Sequence, residues 1–282
     1  MTWDEITRQH HDRSDLRYAS DCRDSEWDLV EPFLFARCAV GRPRTTDLRA
    51  VWNAIQYIAT TGCQWRQLPR EFPPISTVQY YFYRLRNEGT LTLINDALSI
   101  ASRLVDGREP EPTAAIIDSQ SVKTTESGGP CGYDAGKKIK GRKRHIVVDT
   151  AGNPLWMDVH RADIQDRWAA PEMIRNACEQ FPSLRLIYAD GGYAGDTVSN
   201  AMLHLDPSPE IQIVKRPNKA TGFVVIARRW VVERTLAWYG RCRRLAKDWE
   251  CSIQSAQAWL EIAAIRRSSR YVAGQIKRRL EF

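Results

Sequence analysis

No Cys-x-x-Cys pair occurs in this chain of 282 residues, and its seven cysteines, at 22, 38, 63, 131, 178, 242 and 251, are odd in number. A disulfide framework and a zinc knuckle are therefore poor readings of this chain. Free thiols in a reducing cytoplasm fit the pattern, with the cysteines serving as small buried hydrophobes. Long apolar runs are also missing. Val224-Val225-Ile226-Ala227 is typical of the longest, far short of the ~20 residues that cross a bilayer. The opening residues, MTWDEITRQHHDRSD, carry neither a signal nor a transit pattern. No internal repeat or low-complexity segment stands out. With 43% hydrophobic and 27% charged residues, the chain can bury a core, which excludes disorder as its main state.

Charge is present and unevenly placed. The net charge is +7, from 41 Lys and Arg against 34 Asp and Glu. From Lys215 to Phe282 there are 16 basic and 5 acidic residues, so the rest of the chain is slightly acidic. A second basic block, KKIKGRKR, runs from Lys137 to Arg144. A solvated face is one reading of such a run. Two basic regions flanking carboxylate-bearing segments point instead to a polyanionic partner, most simply nucleic acid.

Residues 1–20 are polar and read as a flexible N-terminus. A helix follows Thr45 or Thr46, either of which can cap it. Leu48, Val51, Trp52, Ile55, Ile58 and Ala59 form its apolar stripe, and Gly62 ends it. After the turn-rich GCQWRQLPREFPP, Ser76 and Gln79 form a capping box for a second helix to Glu88. A third helix covers Leu91 to Val105. These helices place a helical, helix-turn-helix-like domain at 21–106. A linker over 106–112 leads to a larger domain at 113–271, followed by a basic tail at 272–282.

In that larger domain, Ala114 to Ile117 reads as a buried strand ending at Asp118, and Ser119 to Gly136 as a loop. Strands follow at His145–Asp149, Leu155–His160, Leu184–Ala189 and Ile211–Val214. Helices are expected around Ile174–Phe181, from Tyr193 to Leu205, from Arg228 to Lys247 and from Ile253 to Tyr271. Three early strands, then alternating helices and strands, describe an α/β chain with a mixed sheet flanked by helices.

Asp118 and Asp190 each close an apolar strand, where ligand groups collect in α/β sheets. Glu233 lies inside an apolar and basic helix, RRWVVERTLAW. Carboxylates converging at one sheet edge repel, and hard divalent cations such as Mg²⁺ or Mn²⁺ offset that repulsion. Two such ions can clamp the attacking and leaving oxygens of a phosphodiester. Position alone leaves other readings open: an Asp at a strand end often caps a turn, and Glu233 can simply pair with Arg229 one turn back. Lys123, Arg229 and the basic block would meet DNA phosphates, against the plainer reading of solubility. His145 and His160 read as strand residues rather than ligands. Trp230 and Trp238 share a broad helical face and read as core.

Several segments, in order, resemble the DDE transposases of bacterial insertion sequences, and most closely the insertion sequence five group. They are IIDSQSVK (116–123), KGRKRHIVVDTAGNPL (140–155), ADIQDR (162–167), ADGGYAG (189–195) and RRWVVERTLAW (228–238). GRPR, DLRAVWNAIQYIATTGCQWRQLP and FPPISTVQYYF resemble that group's N-terminal domain, so the likeness spans about residues 24–255.

The resemblance implies a ribonuclease-H-like catalytic domain with Asp118, Asp190 and Glu233 as catalytic triad and metal ligands for Mg²⁺ or Mn²⁺, two ions in number. It implies binding of double-stranded DNA, at the terminal inverted repeats of the element and at the target, and strand cleavage followed by strand transfer. A homodimer or higher oligomer would form the synaptic complex, on the nucleoid in the cytoplasm and without membrane. The DNA-binding residues would be Lys123, Lys137, Lys138, Lys140, Arg142, Lys143, Arg144, Arg229 and Arg241. Around the acid, the related signature is Tyr-(2)-Arg-(3)-Glu-(6)-Lys. Arg229 and Glu233 match it, Ile226 and Gly240 do not, and Arg241 is adjacent to the last position. A silent repressor derived from such an enzyme, or a general nuclease of the same fold, are the competing readings.

Overall fold

Capping chemistry sets where the first helices begin. In the computed structural model, which describes residues 12–34, 44–126, 128–206, 208–214 and 229–280, a single turn at Asp24–Trp27 (α1) precedes the first long helix, Leu48–Thr61 (α2). Asp47, not a threonine, caps α2, accepting from the amides of Arg49 and Ala50. Gly62 ends it in the left-handed conformation at φ 70°, as the sequence leads one to expect. The next helices are Ile75–Asn87 (α3) and Thr90–Val105 (α4). Pro74 is the N-cap of α3 and no side chain caps it. Pro74 sits extended at ψ 140° and starts the helix one residue before Ser76, which falls inside the first turn and has no cap role. The connection over residues 62–74, with a 3-10 turn at Trp65–Gln67, is longer than the 3–4 residues of a helix-turn-helix.

The sheet contains Ala114–Lys123 (β1), Gly132–Asp134 (β2), Ile139–Asp149 (β3), Pro154–Arg161 (β4), Leu186–Ala189 (β5) and Glu210–Ile213 (β6). Its order is β2-β3-β1-β5-β6, with β4 also paired to β3. The pairs β1–β3 and β3–β4 are antiparallel, and β1–β5 and β5–β6 are parallel. The expected loop after Asp118 is corrected here. β1 continues through Asp118 to Lys123, paired residue by residue with Ile146 back to Gly141. Its second half is polar because it borders a polar network rather than core. The remaining helices are Asp166–Gln180 (α5), Asp196–Met202 (α6), Trp230–Tyr239 (α7) and Ile253–Leu280 (α8). The helix expected to reach Lys247 stops at Tyr239, and the basic tail continues α8 through Leu280.

Strand alternation sorts the apolar residues into two cores. Ile116, Ile146, Val148 and Tyr188 face one side, with residues of α2, α3, α4, α7 and α8. Ala115, Ile117, Val147 and Ile187 face the other, with α5 and α6. Ile116 and Ile117 are both fully buried, each contributing ~1.5–3 kcal/mol of transfer free energy. The first core joins the helical region to the sheet domain. Phe82 of α3 stacks on Trp259 of α8 at 4.6 Å between ring centroids, and Asn95 of α4 donates to the Glu261 carbonyl of α8. Residues 12–20 are held rather than loose. Tyr18 packs on Tyr57 and Phe72, and Arg13 pairs with buried Glu26 at 2.6 Å. Among the described residues the cysteines are free thiols, and no helix is long and apolar enough to cross a membrane.

Candidate active site

Register brings the two aspartates together. Along the parallel pair β1–β5, Ile116 lies opposite Tyr188. Two residues further, on the same face, stand Asp118 in β1 and Asp190 just past β5. Asp190 keeps extended backbone, φ −85° and ψ −179°, so the alternation carries through it. Neighbouring strands lie ~4.8 Å apart. Asp190 then caps the 3-10 turn Gly191–Tyr193, accepting from the Gly192 amide at 2.7 Å. Helix α7 packs against β1 through Val231, Val232 and Leu236, which share the core of that same sheet face. Glu233, in the first turn of α7, is delivered to the side carrying both aspartates.

The electrostatics of the three acids differ. Burial pushes the Asp118 carboxyl up from 3.8 to about 6, and the nearby Asp190 adds to this. The Ser119 amide bond, at 2.7 Å, and the fields of Lys137 and Arg229 oppose the rise without cancelling it. Arg229 sits between the other two acids. It donates to Glu233 Oε1 at 2.7 Å and lies 3.8 Å from Asp190 Oδ2. Burial acts to depress the Arg229 guanidinium, but the bond to Glu233 and the fields of Glu233, Asp118 and Asp190 hold it above its ordinary value. Among the described residues, no three His, Cys, Asp or Glu side chains are grouped closely enough to hold one metal ion. Asp118 and Asp190 nevertheless suit a hard divalent cation: both supply oxygen donors, and one is a desolvated carboxyl whose charge is under-compensated.

On the opposite face of β1 a polar network supports the site. Lys137 Nζ donates to the Ser119 carbonyl and hydroxyl at 2.9 and 3.1 Å. Ser119 Oγ donates to Asp166 Oδ1 at 2.9 Å, which Lys143 also reaches at 3.0 Å. His145 is buried neutral, its pKa pushed down to about 3 by burial and by His160. Its ring nitrogens meet Tyr193 Oη at 2.5 Å and His160 at 3.1 Å. Tyr193 ends the turn that carries Asp190, so this chain of contacts anchors that turn from beneath. Sequence reading missed Asp166 and Tyr193 in this role; their presence in ADIQDR and ADGGYAG was the available signal.

Three of the expected DNA-binding residues are interior. Arg142 is fully buried, donating to Asp248 at 3.0 Å and to the carbonyls of Pro130 and Glu250. Arg144 donates to the Leu245 carbonyl at 2.7 Å, and burial pushes its pKa down to about 10. Lys143 is held by Asp166 and the Ile164 carbonyl. These three cannot serve DNA from where they lie; Arg142 and Arg144 fasten the α7–α8 connection to the sheet. Lys123, Lys137, Lys138, Lys140 and Arg241 are exposed, and Arg229 is half-buried. Ile226 lies outside the described residues. Trp230 and Trp238 are not core. Trp230 is 39% exposed, and Arg234 lies between the two rings, 4.4 Å from each centroid.

Comparison with known proteins accords with this geometry. A family described as "Transposase DDE domain" matches residues 109–266, and one described as "Putative transposase of IS4/5 family" matches residues 22–95. A putative transposase for insertion sequence element IS402 from Burkholderia cepacia is 33% identical over 156 residues, which cover 52% of this chain and 70% of that protein. No solved structure matches. The DDE domain implies a ribonuclease-H-like fold, use of divalent metal and action on DNA. A mixed sheet with one aspartate in β1 and another just past the adjacent parallel strand β5, together with these matches, makes the chain a member of the DDE transposases of bacterial insertion sequences, of the IS4/5 type.

Proposed function

We propose that the chain binds the terminal inverted repeats of an insertion sequence and catalyses cleavage and strand transfer of DNA, with Asp118, Asp190 and Glu233 as its catalytic and metal-holding residues. The observation that carries this is the register placing Asp118 and Asp190 side by side on the face covered by α7. Two Mg²⁺ or Mn²⁺ ions would supply charge stabilisation for attacking and leaving oxygens. Asp118 and Asp190, with Glu233 once Arg229 turns from it to a DNA phosphate, are the residues that would hold them. A water opens the phosphodiester at the element's end, leaving a 3′-hydroxyl and a 5′-phosphate. That hydroxyl then attacks a target phosphodiester, expelling a target 3′-oxygen, so one phosphodiester is exchanged for another without a nucleotide cofactor.

Exposed Lys123, Lys138, Lys140 and Arg241 track the phosphate backbone, while Lys137, its ammonium held by Ser119, braces the site from beneath. Trp230, 39% exposed one turn before Arg234 and beside Glu233, offers a ring face for an unpaired base. On α3, the exposed Tyr80 and Tyr83 give the helical region a surface for the repeat. The active assembly is a homodimer or higher oligomer.

The test incubates full-length protein with a labelled inverted-repeat end, a scrambled end and target plasmid. Cleavage and joining are expected with Mg²⁺ only at the true end, and binding without cleavage in Ca²⁺. Asp118→Asn, Asp190→Asn and Glu233→Gln should each lose about a thousandfold in rate while retaining binding. Full cleavage by any of these variants removes that residue from the site, and cutting without joining reduces the protein to a nuclease.

A further inference from the structure

The turn between β3 and β4 is where three helices meet. Asp149, fully buried at the end of β3, shapes it. Its Oδ1 accepts from the amides of Ala151 and Asn153 at 2.8 and 2.9 Å, and its Oδ2 accepts from Asn153 Nδ2 at 3.1 Å. The charge that balances Asp149 comes from the helical region. Arg103, in the last turn of α4, donates from Nη1 to Asp149 Oδ2 at 2.7 Å. Its other nitrogens hold the linker, at the carbonyls of Glu109 and Glu111. From α8, Arg267 donates to Asn153 Oδ1 at 3.1 Å.

With amides turned inward to Asp149, the turn presents carbonyls to α7. Arg234 Nη2 donates to the Ala151 carbonyl at 2.8 Å. The buried Thr235 hydroxyl lies 3.0 and 3.2 Å from the carbonyls of Val231 and Gly152. Gly152 has φ 93°, and a Cβ on it would stand 2.6 Å from Thr235 Oγ1, 3.4 Å from Arg234 Nη2 and 3.5 Å from Val231 Cγ1. Helix and turn therefore touch with no room for a methyl group. Arg234 and Arg267 each lie 4.4 Å from the Trp238 ring, which ties α7 to α8 at the same place.

The effect of this cluster on the site runs through α7. Val231 and Thr235, one turn apart, are on the side of the helix that meets Gly152. With 3.6 residues per turn, Glu233, two residues from each, lies on the other side, with Arg229 and Asp190. A shift of the turn is thus carried across the helix to Glu233, and misplacing a reacting group by ~1 Å can cost about a hundredfold in rate. A buried ion pair adds little net stability over apolar residues; between Arg103 and Asp149 it supplies fixed geometry. We propose that the Asp149–Asn153 turn, held by Arg103, is a positioning element for Glu233: it fixes the seat of α7 and makes that seat depend on the helical region. The proposal rests on the reading of Glu233 as a catalytic acid.

The test is a double-mutant cycle in the full-length protein, with Gly152→Ala and Thr235→Ala singly and together. It is read by hydrogen exchange of the α7 amides without DNA, and by cleavage of a labelled repeat end in Mg²⁺. Gly152→Ala should quicken exchange over residues 230–239 and lower the rate at saturating DNA by about tenfold to a hundredfold, with affinity for the end within about twofold of the parent. On the Thr235→Ala background the same substitution should cost less than about threefold. The backbone strain at φ 93° is the same on both backgrounds, so a loss caused by strain alone would not be relieved. Arg103→Met should likewise quicken exchange and slow cleavage, and Arg103→Lys, which keeps a charge for Asp149, should recover most of the rate. The proposal is overturned if α7 exchange is unchanged in folded Gly152→Ala and Arg103→Met proteins, if both cut at the parental rate, or if Gly152→Ala costs the same on both Thr235 backgrounds. A parent that cuts no repeat end defeats the reading of Glu233 instead, and exchange in α7 then decides whether the turn seats the helix.

Discussion

Arginines of β3 and the arginine that precedes α7 have opposite fates. Arg142 and Arg144 alternate with Lys143 along a central strand, so each side chain is driven into one or other face of the sheet, where carbonyls and Asp248 receive it. Arg229 enters at a helix start beside the open end of β5 and meets Asp190 and Glu233 while still partly exposed. A run of like charge thus says little about where its members go. The period of the element that contains them decides, and a strand buries what a helix terminus presents.

The sharpest way to break that contrast is to delete one arginine from each region. Arg142→Ala strands a carboxylate that is 2% exposed and should cost about 3–5 kcal/mol, read from urea unfolding. A loss under about 1 kcal/mol would return Arg142 to the surface class. Arg229→Ala, by contrast, should leave the unfolding midpoint nearly unchanged, because its ion pair with Glu233 is partly solvated, while lowering cleavage at repeat ends about tenfold to a hundredfold. Equal effects of the two substitutions on stability would erase the distinction.

Asp118 sharpens the comparison through pH. In metal-free protein its folded pKa, about 6, lies above the ordinary 3.8, so the folded chain holds that proton more tightly than the unfolded one. The stabilisation is complete below about pH 4 and lost as pH rises through about 6. Asp118→Asn should therefore be more stable than the parent by roughly 1–3 kcal/mol at about pH 8, with the curves converging near about pH 4. A difference independent of pH would show that burial of this carboxyl is not its cause. The smallest effect is expected at Lys123, exposed at the end of β1. Lys123→Ala should weaken DNA binding alike for repeat and scrambled ends and lower the salt slope by about one.

Much of this was legible in the residues. The apolar runs before Asp118 and Asp190 marked β1 and β5, the stripe of α2 with Gly62 marked that helix, and the ordered motifs marked the acids. Ser119 to Lys123 was not, because its pairing partners on β3 are themselves polar and no apolar alternation survives there. Asp47 caps α2 in place of Thr45 or Thr46, hydroxyl residues that are weaker caps one and two positions earlier. Trp230 and Trp238 read as core because an apolar face looks the same whether it meets leucine or, as here, Arg234. Arg229 bridging Asp190 and Glu233 needed coordinates, since it depends on how α7 lies across the sheet.

The long C-terminal helix carries one more consequence. α8 covers α4 and the aromatic cluster of the first helices, and its Arg266 and Arg270 bind carbonyls of Ser20 and Ala19. During synthesis, the helices before residue 106 leave the ribosome with their apolar side bare and stay so until residues 253–280 emerge. A product cut short before residue 253 would lack the lid for its own beginning, so a prematurely stopped copy should be cleared by proteolysis rather than persist as a fragment that competes for DNA.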